Sequence, residues 1–275
     1  MKRFNMRAGR LRRKRSAARK QGQASWRYLI PNLLTLLAFC SGVTAIRLAI
    51  EGRWETAVAA VIIAGVIDGF DGRAARLLNG QTRFGAELDS LSDVVAFGVA
   101  PALMMYLWSL HAWHALGWLL TLALAAACAL RLARFNAQLD SQDNLHKRFG
   151  MNMGVPAPVG AGLALFPMYL MHLLDNSIFQ TPMLCAFWQI LVAGLMVSRI
   201  PTYTWSYFVK RWNKIAREWY IVILLLLGLY IFALISKPWI TLTLMCLAYL
   251  LSVIVGIFSW RKSMGKYSKE DFPSG

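Results

Sequence analysis

Eight apolar stretches, near residues 29–49, 54–78, 88–108, 113–136, 155–174, 183–200, 218–236 and 239–260, set the first limit on what this chain can fold into. Most approach the roughly 20 residues that an α-helix needs to cross a hydrocarbon layer. Backbone N–H and C=O groups find no water in such a layer and must pair within the segment, which a helix achieves. With 57% hydrophobic and 16% charged residues, the chain reads as an all-α polytopic membrane protein of eight spans rather than a soluble domain.

The basic residues test that count independently, because cytoplasmic connections carry an excess of Lys and Arg. With eight spans, all of the 30 Lys and Arg residues except Arg47, Arg53 and Lys237 fall on one side. Adding or dropping an early span destroys the asymmetry. The expectation is therefore an integral protein of a bacterial-type inner (cytoplasmic) membrane, with both termini in the cytosol. The net charge of +17 and the block from Arg10 to Arg15 are matched to anionic phospholipid headgroups rather than nucleic acid. Residues 1–27 lack an apolar core and do not read as a cleavable signal; they form a basic cytosolic segment, either an interfacial helix or unstructured. Cys40, Cys128, Cys185 and Cys246 stand singly in apolar stretches, as small buried hydrophobes do.

Against this background the acids are unevenly placed. Of 13 Asp and Glu residues, Asp68, Asp71, Glu87, Asp89 and Asp93 lie in one window, within the pattern D-x2-D-G-x2-A-R-x8-G-x3-D-x3-D. Asp68, Asp71, Gly72, Ala75, Arg76, Gly85, Asp89 and Asp93 fill it. Average residue frequencies give a chance match on the order of 10⁻¹⁰ per register. At about 100° per residue, Asp68 to Arg76 share one arc of a helix, and Gly85, Asp89 and Asp93 stack at i, i+4 and i+8. An antiparallel pair joined near residues 79–84 lets the two acidic faces converge at the cytosolic end of the bundle.

Carboxylates crowded in a partly dehydrated place repel one another unless cations or protons compensate. Hard oxygen ligands suit Mg²⁺ or Mn²⁺, and four carboxylates can hold two such ions. Such ions point to a phosphate-bearing substrate. Gly72, Ala75 and Gly85 give a ligand close access to backbone, or serve close helix packing. Arg76 offers a permanent cation to phosphate oxygens. Asn32 and Thr35 share a helix face, from which they reach a nucleotide or cap a broken helix.

The complete pattern resembles the signature of the CDP-alcohol phosphatidyltransferase family. Pro31-Asn32-Leu33-Leu34-Thr35, the run from Ser92 to Ala102, Arg131 to Asn136, Gly154 to Pro158 and Ser198 to Pro201 resemble its phosphatidylserine synthase branch. The resemblance implies a six-helix transmembrane catalytic core over residues 28–205, commonly a homodimer. The remaining parts are then a cytosolic loop at 206–217, an accessory helix pair at 218–260 and a cytosolic tail at 261–275. It further implies Asp68, Asp71 and Asp89 as metal ligands, Asp93 as ligand, general base or both, and Gly72, Ala75, Arg76 and Gly85 as contacts to the nucleotide of CDP-diacylglycerol. The implied reaction transfers a phosphatidyl group to a small alcohol and releases CMP.

For L-serine as acceptor the residues themselves offer Arg131 and Arg134, three apart at the cytosolic end of one span, as cations for a carboxylate. The alternative is that both snorkel to headgroups. Glycerol 3-phosphate, inositol phosphate or choline as acceptor keeps the same chemistry. A cation-coupled transporter using the four aspartates is a more distant reading, set back by the absence of visible repeats and by acids lying towards one face. The topology makes a direct prediction. In a background without native cysteines, Asp143→Cys is labelled by a membrane-impermeant maleimide only after permeabilisation, whereas Asp175→Cys is labelled in intact cells; the reverse pattern overturns the orientation.

Overall fold

The computed structural model describes residues 27–78, 80, 82–140, 151–198, 201–203 and 219–270. The basic segment before residue 27, His146, Lys147 and Arg148 within 141–150, the 206–217 connection and residues 271–275 lie outside that set. The described chain is helical apart from one short antiparallel strand pair. A helix occupies each of the eight stretches expected from hydropathy. Among the described residues, Arg27–Ile50, Arg83–Trp108, Leu110–Ala137 and Pro238–Gly256 are long and apolar enough to cross a membrane, with a bent pair at Ala157–Ala164 and Phe166–Leu174 as a fifth.

The chain divides into two units, Met1–Ala96 and Phe97–Gly275. The first contains α1 (Arg27–Ile50), α2 (Trp54–Leu77) and α3 (Arg83–Asp93). Its packing follows membrane logic. The buried stripe of α1 is Pro31, Thr35, Ala38, Gly42, Ala45 and Ala49, whereas Leu33, Leu36, Leu37 and Phe39 face outward. Lipid is as apolar as leucine, so helices gain little by hiding leucine and gain most by bringing small residues together. An ideal Cβ on Gly42 would sit 2.6 Å from the Ala96 Cα, so α1 and the chain beyond α3 meet at backbone distance.

Contacts at Asn32 with Gly85, Thr35 with Ser92 and Gly42 with Ala96 advance together, which makes α1 and α3 parallel. The Ser41 hydroxyl donates to the Ala60 carbonyl at 2.8 Å, and Thr35 donates to Asp71, so α2 runs antiparallel to both. At the α1–α2 turn Gly52 takes φ +71°, and Glu51 meets Arg47 at 2.9 Å and Arg53 at 3.8 Å. Two of the three basic residues assigned to the outer side thus share one acid.

Helix α3 begins at Arg83, earlier than the apolar run, because the Thr82 hydroxyl accepts the Gly85 N–H at 3.0 Å and caps the helix. Immediately after Asp93 the chain winds as a π-helix over Val94–Val99 and then as α4 (Ala100–Trp108). Pro101 has no N–H for the Phe97 carbonyl, and widening of the preceding turn accommodates that missing bond.

The second unit continues with α5 (His114–Asp140), β1 (Met151–Met153), α6 (Ala157–Ala164), α7 (Phe166–Leu174), α8 (Pro182–Val197), β2 (Pro201–Tyr203), α9 (Trp219–Ser236) and α10 (Pro238–Glu270). Strand β1 pairs with β2, Asn152 opposite Thr202. Between α6 and α7 the axis bends by 41°. Pro167 leaves the Leu163 carbonyl without its helical donor, and the Met168 N–H turns to Leu165 instead of Ala164. Helix α8 supplies both replacements: Trp188 Nε1 donates to Leu163 at 2.7 Å and Gln189 Nε2 to Ala164 at 3.2 Å. Helix α10 runs to Glu270, beyond the expected end of the span near residue 260, because helix formation does not stop where the apolar window stops.

These contacts predict that Trp188→Phe, which keeps the ring and removes the donor, destabilises the protein by about 1–3 kcal/mol through an unsatisfied buried carbonyl. Gly42→Leu overpacks the α1 seam at a cost of about 1–3 kcal/mol. Leu36→Ala on the outward face serves as the control in thermal unfolding in detergent. Equal melting temperatures for all three variants contradict this packing account.

Candidate metal centre and active site

All four aspartates of the pattern lie in the first unit, on α2 and α3. The arrangement follows from the antiparallel course of those helices around the tight connection at Gly80. Gly80 donates to the Ala75 carbonyl at 2.9 Å, and a Cβ there would collide with the Arg27 carbonyl. The turn therefore lies directly beneath the start of α1.

One carboxylate oxygen each from Asp68, Asp71 and Asp89 falls within 4.8 Å of the other two. The Asp93 side chain is hydrogen-bonded to that of Asp68, so the fourth aspartate joins the group through its neighbour. Asp71 is 4% exposed. Its Oδ2 accepts the Thr35 hydroxyl at 2.7 Å. Asp89 presents the opposite case: its Oδ1 is buried and has no hydrogen-bond partner among the described residues. A buried carboxylate oxygen without a donor is costly unless something positive faces it. Three converging carboxylates, one of which carries an orphan oxygen, make a ligand set consistent with a divalent metal site.

The small residues of the pattern divide into two kinds. A Cβ at Gly72 would meet nothing within 4 Å, and Gly72 is exposed, as is Arg76 on the next turn. Ala75 between them is half-buried. This face of α2 is open to a ligand. At Gly85 the space is already taken: a Cβ would lie 2.9 Å from Asn32 Oδ1 and 3.2 Å from Thr82 Oγ1. Gly85 therefore brings α3 against α1 and holds half-buried Asn32 beside the site.

Arg131 and Arg134 belong to the second unit. Arg131 is half-buried on α5. Arg134 is exposed, and its Nη1 donates to the Val197 carbonyl at 2.7 Å, placing a cation on the C-terminal end of α8. Gly154, held at φ +76°, approaches the same end, where a Cβ would come within 2.8 Å of the Met196 carbonyl. Gly154 and Ser198, from two stretches noted in the sequence, thus meet at one helix terminus next to the β1–β2 pair.

Some of the supporting residues were not read as such from the sequence. Thr82 carries a usable signal, a hydroxyl residue just before a helical run. Gly42 and Ser92 carry a weaker one, small residues spaced to extend the faces of Thr35 and Asp89.

The model of the CDP-alcohol phosphatidyltransferase family matches residues 28–193, a stretch that contains the whole cluster. The chain belongs to this family. A second model of CDP-alcohol phosphatidyltransferases matches residues 218–253, in α9 and α10. Relatives described as CDP-diacylglycerol–serine O-phosphatidyltransferases include that of Mycobacterium tuberculosis, 38% identical over 63% of this chain and 60% of its own. The Mycobacterium leprae protein is 31% identical over 85% of this chain and 76% of its own. The Helicobacter pylori protein is 34% identical over 74% of this chain and 81% of its own. This chain thus spans 60% of the length of the M. tuberculosis relative.

The open face at Gly72 and the filled seam at Gly85 can be tested apart. Gly72→Ala leaves the melting temperature unchanged yet lowers turnover or raises KM for the nucleotide substrate, whereas Gly85→Ala displaces Asn32 and lowers the melting temperature as well. A Gly72→Ala variant with unaltered kinetics removes the open α2 face from the site.

Proposed function

We propose that this protein transfers the phosphatidyl group of CDP-diacylglycerol to the hydroxyl of L-serine, giving phosphatidylserine and CMP in phospholipid biosynthesis. The observation that carries this reading is the convergence of Asp68, Asp71 and Asp89 oxygens within the complete family pattern. The choice of acceptor draws support from relatives whose names specify serine.

In this reading Asp68, Asp71, Asp89 and Asp93 hold Mg²⁺ or Mn²⁺, two ions per site. Divalent cations bound there neutralise the diphosphate and stabilise the negative charge of the departing CMP. The protein's own groups do the rest. The open face at Gly72 and Ala75 admits the nucleotide close to backbone, with Arg76 available to phosphate oxygens and Asn32 and Gly85 at its edge. Asp93 accepts the serine hydroxyl proton as the serine oxygen bonds to the lipid-side phosphorus and the bond from that phosphorus to CMP breaks. Arg131 and Arg134 are the cations assigned to the serine carboxylate. A single displacement inverts the phosphorus; retention in a chiral-phosphorus donor would instead indicate a covalent phosphatidyl-enzyme.

The same reading places a six-helix core at residues 28–205 and an accessory pair at 218–260 in eight spans of a bacterial-type inner membrane. The termini and the aspartates are cytosolic, the 1–27 segment meets anionic headgroups, and two copies form a homodimer. The test uses purified protein in mixed micelles with CDP-diacylglycerol and labelled serine. We expect metal-dependent labelled phosphatidylserine with equimolar CMP, and a loss of at least 100-fold in Asp93→Asn, the lower range for removing a general base. CMP release only with another alcohol overturns the acceptor, and no CMP with any alcohol overturns the activity.

A further inference from the structure

Thr35 is 4% exposed, and both of its polar ends are engaged across helices. Its hydroxyl lies 2.7 Å from Asp71 Oδ2 on α2 and 3.1 Å from the Pro31 carbonyl in its own helix. One hydroxyl proton serves the shorter, charge-assisted contact best. Its carbonyl accepts the Ser92 hydroxyl from α3 at 3.1 Å, and Ser92 is also 4% exposed. A single residue of α1 is therefore fastened to α3 through its backbone and to an acid of α2 through its side chain.

We propose that Thr35 and Ser92 are positioning residues that set the orientation of Asp71 as a metal ligand. This inference rests on the metal-dependent reading above. The donor at Asp71 Oδ2 is neutral, so the carboxylate keeps its full charge for the site, which an arginine partner would partly cancel. Together with the Gly72 N–H, which also bonds this carboxylate, the Thr35 hydroxyl fixes the carboxylate plane while one Asp71 oxygen converges with those of Asp68 and Asp89. Ser92 holds the α1 turn from which that donor projects, one turn along α3 from Asp89. The two ligand-bearing helices are thereby registered against each other through α1. Partners of this sort that orient a ligand alter metal affinity by about 10–100-fold when removed.

The experiment measures Mn²⁺ binding directly, by loss of the free-ion electron spin resonance signal, on full-length protein in detergent without substrate. Wild type is compared with Asp89→Asn, Thr35→Val, Thr35→Ser and Ser92→Ala. Thr35→Val is nearly isosteric and removes only the donor; about 10-fold weaker binding is expected, with Thr35→Ser restoring it to near the wild-type value and Ser92→Ala weakened by a smaller factor. Wild-type affinity in folded Thr35→Val overturns the role of Thr35. If that variant does not fold, Ser92→Ala carries the test, and unchanged affinity there overturns the relay. Mn²⁺ binding that survives in Asp89→Asn, or is absent from wild type, sinks the metal reading itself and this inference with it.

Discussion

Carboxylates stripped of water dominate the design of the first unit. In the open, four neighbouring aspartates would simply be hydrated; at the ends of apolar helices each must be compensated by a donor, a shared proton or a cation. Asp71 has the Thr35 hydroxyl, Asp68 and Asp93 have each other, and Asp89 Oδ1 has nothing among the described residues. The result is a place that favours positive charge. Arg76 and Arg73 lie exposed on the same helix rather than turned inward.

Holding such a group together requires helices that approach more closely than leucine permits. The α1 stripe of Pro31, Thr35, Ala38, Gly42, Ala45 and Ala49 achieves this, with Gly42 on Ala96 and Gly85 on Asn32 as its closest points. Van der Waals contact and interhelical hydrogen bonds take over the work that hydrophobic burial does in a soluble core. The same helices carry large apolar side chains outward, so what appears as exposed leucine is the lipid-facing surface. Gly72 and Gly85 show that one sequence pattern can hold both an open helix face and a close-packed seam.

The second unit solves a different problem of dehydration, that of broken backbone. Pro167 bends the α6–α7 stretch and frees carbonyls that lipid cannot satisfy, and the Trp188 and Gln189 side chains replace the missing N–H groups. At the far end of α8, Arg134 takes the Val197 carbonyl while Gly154 passes close by at positive φ. A residue offered by the sequence as an acceptor-binding cation therefore also caps a helix, and these uses are compatible because guanidinium carries five donors.

The helix positions were legible in the chain because hydropathy and charge asymmetry are summed over many residues and survive local exceptions. The acidic pattern was legible because intramembrane carboxylates are too costly to occur there idly, and its spacing, on an antiparallel pair joined near residues 79–84, predicted convergence of the four aspartates, of which Asp68, Asp71 and Asp89 bring oxygens together. Tertiary structure decided what spacing cannot express. Asn32 and Thr35 share a face in the sequence, yet only the packed helices turn Thr35 to Asp71, bring Ser92 onto its carbonyl and set Gly85 against Asn32. Likewise Gly72 and Gly85 are equivalent as letters, and become an open face and a filled seam once α1 lies against α3. Periodicity assigns a residue to a side of its own helix; which neighbour meets that side, and at what distance, depends on how separate helices pack, and that information is not local to any segment.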